Sequence, residues 1–242
     1  LNHFLELDKD ESGYLWVLIH SGSRGLGADV FEYYNDQAIK CCQSYSTPYS
    51  VVEDQLPFLP LNSLLGEFYW AEMKYCVEFG KVNRKLMLER IKEAVLDVFP
   101  DTTFEDPIDT VHNYAAMEDH YGERVCIHRK GAVKMDLDDI GIIPGSQGTS
   151  SFIVRGLGNE ESFKSSSHGS GRKLSRTAAI NTLDLEKEIE HLDSLGIVHS
   201  VRSKSDLEES TGAYKDIDEV MELQKDLVEP VMRLRPIAVI KG

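Results

Sequence analysis

Residues 13–19, GYLWVLI, form a nearly unbroken apolar run. It stops at His20, ahead of the turn sequence HSGSRGLG, and its length and aromatic and β-branched content predict a buried strand. The rhythm then changes. Over 26–42 apolar side chains recur at Val30, Tyr33, Tyr34, Ala38 and Cys41, the spacing of one helix face. Residues 43–65 carry Pro48, Pro57 and Pro60 and read as irregular. A longer helical pattern covers 66–98 through Phe68, Met73, Val77, Leu86, Leu88, Ile91, Ala94 and Val98, with a break expected near Gly80 and a stop at Pro100.

Beyond residue 103 the pattern shortens. RVCIH (124–128), GAVKM (131–135) and SFIVR (151–155) read as strands between Gly-rich turns. Residues 172–195 and 214–227 read as helices and 233–240 as a final strand. Strands and helices follow no regular alternation, so the expected fold is α+β with mixed or antiparallel sheets rather than a doubly wound sheet. The 242 residues read as one large domain, without repeats or low-complexity linkers.

Composition narrows the picture. No apolar run approaches the ~18–20 residues that a bilayer requires; the stretch 231–240 is interrupted by Arg233 and Arg235. Cys41, Cys42, Cys76 and Cys126 include no C-x-x-C pair, which argues against a structural zinc site and for a reducing cytoplasm. The net charge of −15 excludes a generic nucleic-acid coat. Between residues 124 and 176, however, nine Lys/Arg face five Asp/Glu, so a local basic groove on an acidic body stays open.

The chemistry concentrates in six short motifs: NHFLE (2–6), HSGSRGLG (20–27), HNYA (112–115), PGSQGTSS (144–151), SHGSGR (167–172) and the terminal Lys241-Gly242. Of eight histidines, His3, His20 and His112 stand at strand ends or motif starts, where a rigid frame suits metal ligation. No H-x-H or H-x-x-x-H spacing fixes a site, and His120, His128, His191 and His199 read as ordinary. HSGSRGLG leads into a helix whose first N–H groups, with Arg24, suit an anion; it is equally an ordinary Gly/Ser turn, and it is not a P-loop. In SSSHGSGR small residues leave His168 uncovered, and Gly169 and Gly171 allow close approach to the backbone. A neutral imidazole so placed suits attack on phosphorus, with Arg172 beside it to neutralise developing charge; the plain alternative is a flexible loop. Lys241 would be solvated and frayed were it not for the apolar strand PIAVI before it.

Together and in order, NHFLE, HSGSRGLG, HNYA, RKGA, PGSQGTSS, HGSGRKLSR and the closing KG resemble the RtcB family of RNA-splicing ligases, over essentially the whole chain. The resemblance implies that His168 is guanylylated by GTP and that His3, His20 and His112 ligate manganese, two ions in the complete enzyme. It implies a nucleotide site of Asn2, Glu6, Asn113, Pro144, Gly145, Ser146, Gln147, Ser151, Gly169, Ser170, Gly171, Tyr214 and Lys241, with Glu6 reading the guanine edge. Arg24, Arg129, Lys130, Arg172 and Arg176 fall where RNA or triphosphate oxygens are held. The implied reaction joins an RNA 3′-phosphate or 2′,3′-cyclic phosphate end to a 5′-hydroxyl end through an RNA-ppG intermediate. Its partners are RNA ends and GTP, with no membrane; the need for an activating protein stays open. The family's N-terminal half carries an Asp and a Cys that complete the metal site, and neither occurs here, so residues 1–242 are expected to be a single catalytic domain without that part. Two other readings stand beside the ligase: a guanylyltransferase acting on other 3′-phosphate ends, and a non-catalytic RNA-binding module.

Overall fold

A computed structural model describes residues 3–44 and 56–241. The fold is α+β, with antiparallel sheets and helices in irregular order. It divides into two units, one of residues 1–20 and 103–242, the other of residues 21–102.

The first unit is built on a six-stranded sheet. β1 (Phe4–Lys9) and β2 (Leu15–His20) form a hairpin. Asp10 shapes its turn: the carboxylate accepts from Tyr14 N–H at 3.0 Å and from the Trp16 indole at 2.9 Å. β3 (Asn113–His120) and β4 (Glu123–Lys130) form a separate hairpin, and β5 (Ala132–Lys134) pairs with β8 (Ser165–Ser167). β6 (Ile140–Ile143) and β7 (Ser151–Gly156) complete the large sheet with β9 (Val198–His199) and β10 (Val228–Lys241). β10 is its spine. Its first half pairs with β7 and its second half with β1, both antiparallel, while β9 joins its end in parallel. Alternating residues fill the core: Phe152 and Val154 of β7 with Ile143, Val133, Met135 and Val228 in one cluster, and Leu18, Ile153 and Leu234 in another. Each fully buried aliphatic side chain of this kind contributes about 1.5–3 kcal/mol.

Three expectations for the first unit change. The single helix read over 172–195 is two, α3 (Arg176–Thr182) and α4 (Leu185–Ser194), because Asp184 caps the second by accepting from Glu186 and Lys187 N–H. The helix read over 214–227 shortens to α5 (Ile217–Leu223), capped by Asp216. The last strand begins earlier than 233, at Val228, and its register shifts just after Pro230, a residue with no N–H for the ladder.

The second unit pairs α1 (Arg24–Ser44) with α2 (Leu64–Val98). The Tyr34 hydroxyl donates to Glu72 across the pair at 3.0 Å. α2 runs unbroken through Gly80, against the expected break. A Cβ there would come within 3.4 Å of the Gly22 and Ser23 backbone, so the glycine permits close approach rather than a kink. Asn83 and Arg84 donate to Ser21 and Gly22, fixing the turn ahead of α1. Pro48 lies outside the described residues. All four cysteines are free thiols, and no helix among the described residues is long and apolar enough to cross a membrane.

One buried charge network locks the β3–β4 hairpin. Arg129, with 1% of its side chain exposed, makes a bidentate pair with Glu118 at 2.6 and 3.0 Å and also donates to Ser165 and the Phe163 carbonyl. His120 sits between Glu118 and Glu160. The Arg129 hydrogen bonds draw the Glu118 pKa from 4.5 down to about 2. The folded state therefore gains stability from Glu118 that is complete above its unfolded pKa and is lost as pH falls toward about 2. Glu118→Gln should remove about 3–5 kcal/mol in urea unfolding by stranding the buried guanidinium, and should flatten the acid limb of the stability profile.

Candidate functional site

His168 follows β8 directly, and Gly131 lies between β4 and β5, so the β5–β8 pairing brings the two together. Gly131 has φ +69°, a conformation that favours glycine. Its N–H is shared between the His112 carbonyl (2.8 Å) and the Asn113 side-chain oxygen (3.1 Å). Its carbonyl lies 2.7 Å from His168 Nδ1. A carbonyl only accepts, so Nδ1 carries the proton and Nε2 keeps its lone pair. That tautomer is the nucleophilic one at Nε2.

Around this ring the aromatic groups run in a row. The His168 and His112 ring centroids are 4.5 Å apart, those of His112 and His20 5.2 Å, and those of His20 and Phe4 5.2 Å. The Lys241 ammonium then lies 5.5 Å from the Phe4 ring and 5.7 Å from that of Tyr214. Sheet register makes part of the row: Phe4 pairs with His20 on one side and with Lys241 on the other. His20 and His112 face each other with Nε2 atoms 3.0 Å apart. Burial, then the neighbouring His168 and His20, push the His112 pKa down to about 4. His112 is therefore neutral at ordinary pH, the form that ligates a metal. The His20 and His112 imidazoles, with Nε2 atoms converging, can ligate a first-row divalent cation, manganese included, with further positions left for oxygen ligands. His3 stands half-buried one residue before β1, and among the described residues no cluster of three or more His, Cys, Asp or Glu takes a metal-holding arrangement.

The opposite end of the row is organised by a carboxylate that the sequence did not signal. Glu209, largely buried, takes the Tyr214 hydroxyl, lies 3.3 Å from Arg172 and 3.5 Å from Arg176, and pairs with Lys241 at 3.6 Å. Nothing in the acidic run DLEES sets it apart from its neighbours. Burial depresses the Lys241 pKa and raises that of Tyr214. The loop 144–151 adjoins both ends. The Pro144 carbonyl accepts from Ser170 N–H at 3.1 Å, Gly145 N–H donates to Ser151, Ser146 N–H donates to Thr149, and the Gln147 amide donates to the Glu209 carbonyl. A Cβ on Gly169 would lie 3.1 Å from the Pro144 oxygen, and the Gly171 carbonyl accepts from Lys215 N–H. Glu6 is buried on β1 near Lys241.

Some expected members stand apart. Arg129 is buried, and its guanidinium donates to Glu118, Ser165, Tyr114 and the Phe163 carbonyl rather than facing the row of rings. Arg172 is largely tied to Glu209 and to the Leu174 and Glu208 carbonyls. Lys130 is exposed beside Gly131, and Arg176 is exposed on the first turn of α3. Arg24 is exposed at the start of α1 in the helical unit, with φ +58°. Asn2 and Gly242 lie outside the described residues.

Comparison with known proteins agrees with the motif order. The family model "tRNA-splicing ligase RtcB" matches residues 2–242. The chain is 38% identical over 247 residues to the RNA-splicing ligase RtcB of Escherichia coli K12, an alignment covering 100% of this chain and 59% of that protein. It is 32% identical to the RtcB ligase of Mycobacterium tuberculosis, covering 63% of it, and 32% identical to the tRNA-splicing ligase of Thermococcus kodakarensis, covering 58%. The chain thus spans about three-fifths of the length of these curated relatives.

The Gly131 backbone sets the His168 tautomer, which makes it testable. Gly131→Ala would place a Cβ 3.2 Å from His168 Nδ1 and Cε1 in a left-handed conformation. It should destabilise the protein by about 1–2 kcal/mol and replace one protonated Nδ1 by a tautomer mixture, read from the imidazole 15N shifts.

Proposed function

Because the chain belongs to the RtcB family of RNA-splicing ligases, we propose that it carries the catalytic histidine of a GTP- and manganese-dependent ligase joining RNA 3′-phosphate ends to 5′-hydroxyl ends. The observation that supports this most is the His168 ring, with Nδ1 held by the Gly131 carbonyl and Nε2 left for attack. Nε2 attacks the α-phosphorus of GTP, a P–N bond forms and pyrophosphate leaves. The Nδ1–H to carbonyl bond stabilises the cationic ring that results. An RNA 3′-phosphate oxygen then attacks the same phosphorus, releases His168 and carries away GMP as RNA-ppG. The 5′-hydroxyl of a second RNA attacks the RNA-side phosphorus, GMP departs, and the phosphodiester is closed. A 2′,3′-cyclic end enters after hydrolysis to the 3′-phosphate.

His20 and His112, with His3, would hold manganese, which when bound neutralises charge on phosphoryl oxygens. Neutral His112 keeps its lone pair available for that role. The side chains of Ser146, Gln147, Ser151 and Ser170 line the nucleotide-phosphate cradle, and the backbone bonds within Pro144–Ser151 and from Ser170 to Pro144 hold Gly145, Gly169 and Gly171 in its shape; Asn113 serves it by fixing Gly131. Tyr214 and Lys241 wall the base, and Glu6 accepts the guanine N1–H and N2–H donors. Lys130, Arg172 and Arg176 take RNA or triphosphate oxygens; Glu209 orients Arg172, Arg176 and Lys241 from behind.

Incubating the protein with α-labelled GTP and Mn²⁺ tests the central step. Acid-labile, alkali-stable label is expected on the wild type and none on a folded His168→Ala variant; covalent GMP on that variant would remove His168 from the mechanism. Glu6→Ala should relax the GTP-over-ATP preference by about tenfold or more, the scale of one lost charged hydrogen bond, as read from the ratio of kcat/KM values.

A further inference from the structure

β1 lies between β2 and β10, so its alternate residues Phe4, Glu6 and Asp8 share one face of the sheet. Glu6 is flanked in register by Leu18 and Val239, and Asp8 by Trp16 and Pro236. Glu6 is 4% exposed and Asp8 0%. Two apart on one strand face, they are same-face neighbours, and each acts on the ionisation of the other. No protein donor among the described residues reaches either Asp8 oxygen or Glu6 Oε1. Two carboxylates this close, walled by apolar side chains, cannot both hold a negative charge cheaply; a proton shared between them satisfies both. Burial raises both, Asp8 to about 6 and Glu6 well above the usual carboxylate range, with the neighbouring Asp8 charge adding to the latter.

The surrounding charges do not supply an alternative for Asp8. Lys241, from β10, acts on Glu6 but also on Glu209. His20, from β2, is in register with Phe4 rather than with either carboxylate. His199, from β9, is in register with Val239 and bonded to Asp193. Asp10, next along β1, is engaged by Trp16 and Tyr14.

We propose that Asp8 is a positioning residue for base selection: the Glu6–Asp8 pair holds one proton when the purine site is empty, and Asp8 keeps that proton when Glu6 accepts the two guanine donors. The proposal rests on the reading of Glu6 as the guanine acceptor. Its chemistry follows from the two forms of Glu6. An ionised Glu6 offers two acceptors to N1–H and N2–H of guanine. A protonated Glu6 offers one donor and one acceptor, which suits the N1 and amino group of adenine. Guanine binding therefore requires Glu6 to give up a proton. Asp8 lets that proton stay inside the protein, O–H of Glu6 breaking as O–H of Asp8 forms, so that no proton passes to solvent.

Titration calorimetry of GTP binding in two buffers of different ionisation enthalpy counts the protons released, and KM for GTP and ATP between pH 5.5 and 8.5 gives the profile. The wild type should release close to no proton and keep a flat GTP profile near neutrality. Asp8→Val, a good strand former that cannot accept a proton, should release one proton on binding GTP. Its KM for GTP should rise about tenfold per pH unit below the Glu6 pKa, with kcat little changed and the GTP/ATP ratio falling. Asp8→Asn, whose amide can donate to an ionised Glu6, should restore binding without proton release. A purely structural role would lower the urea midpoint of these variants without separating their proton counts. Folded Asp8→Val with the wild-type count and profile overturns the role of Asp8 alone. Glu6→Gln with the wild-type GTP/ATP ratio overturns the reading of Glu6, and the role of Asp8 with it. Should Asp8→Val fail to fold, Asp8→Asn decides: loss of GTP affinity with proton release overturns the proposal, and retention without release supports it.

Discussion

A histidine ring has two nitrogens, and only the one that is not protonated can attack. In this protein that choice is made by one hydrogen bond, from His168 Nδ1 to the Gly131 carbonyl. The bond in turn depends on backbone that side-chain chemistry cannot replace. Gly131 turns through a left-handed conformation, its N–H is fixed by His112 and Asn113, and the β5–β8 pairing delivers His168 to it. His112 is thus bound twice into the site: its carbonyl aims Gly131, and its ring packs against the ring that Gly131 orients. The elements on either side of the nucleophile are not separable parts, and a disturbance in either loop reaches the other through a single peptide group.

The same economy governs charge. The body carries a net charge of −15, and several of its cations are held in internal pairs. Arg129 is consumed inside the β3–β4 hairpin, where it neutralises Glu118. Arg172, Arg176 and Lys241 gather on Glu209, which fixes their geometry while leaving the group net positive. Guanidinium and ammonium groups held this way lose little rotational freedom when an anion arrives, and preorganised donors contribute more than mobile ones. The excess of basic residues between 124 and 176 is therefore less a uniform groove than two internal clamps and a few exposed cations, among them Lys130.

What could be read from the chain was what repeats or what chemistry restricts. The α+β class followed from period and punctuation, and the strands around 13–19, 124–128 and 151–155 followed from β-rich runs between turns. His168, uncovered by serine and glycine on both sides, was visible as a candidate because little else explains such a segment. The errors share a cause. At 172–195 and 214–227 the apolar period continued past positions where Asp184 and Asp216 cap new helices, and a capping side chain interrupts a helix without interrupting its period. Gly80 looked like a break because composition does not reveal that another backbone passes close by. Nothing in the sequence shows how Arg129 is engaged, because its partner Glu118 is eleven residues away and comes within reach only when the hairpin folds. Glu209 carried no signal at all: it is one acid among several, distinguished only by what the fold brings to it.

The central sheet joins these parts through β1, and the residues on its one face run from chemistry to recognition. Phe4 stands between His20 and Lys241, next to the imidazoles; Glu6 and Asp8 follow toward the hairpin turn. Two carboxyl groups in that position are an expense for the fold, since buried ionisable groups cost several kcal/mol unless paired, and apolar residues would pack the same space without that cost. A site that selects a hydrogen-bonding edge gains from the arrangement nonetheless, because a ligand lacking the matching donors leaves a desolvated acceptor unpaired, which discriminates far more strongly than shape does. The strand order makes the compromise workable. β2 and β10 flank Glu6 with Leu18 and Val239, while the same register places Lys241 opposite Phe4, from where its charge favours the ionised form of Glu6. On the proposed reading of Glu6, selectivity for a base edge and the cost of burying two carboxyl groups on β1 are consequences of one arrangement, and neither can be altered without altering the other.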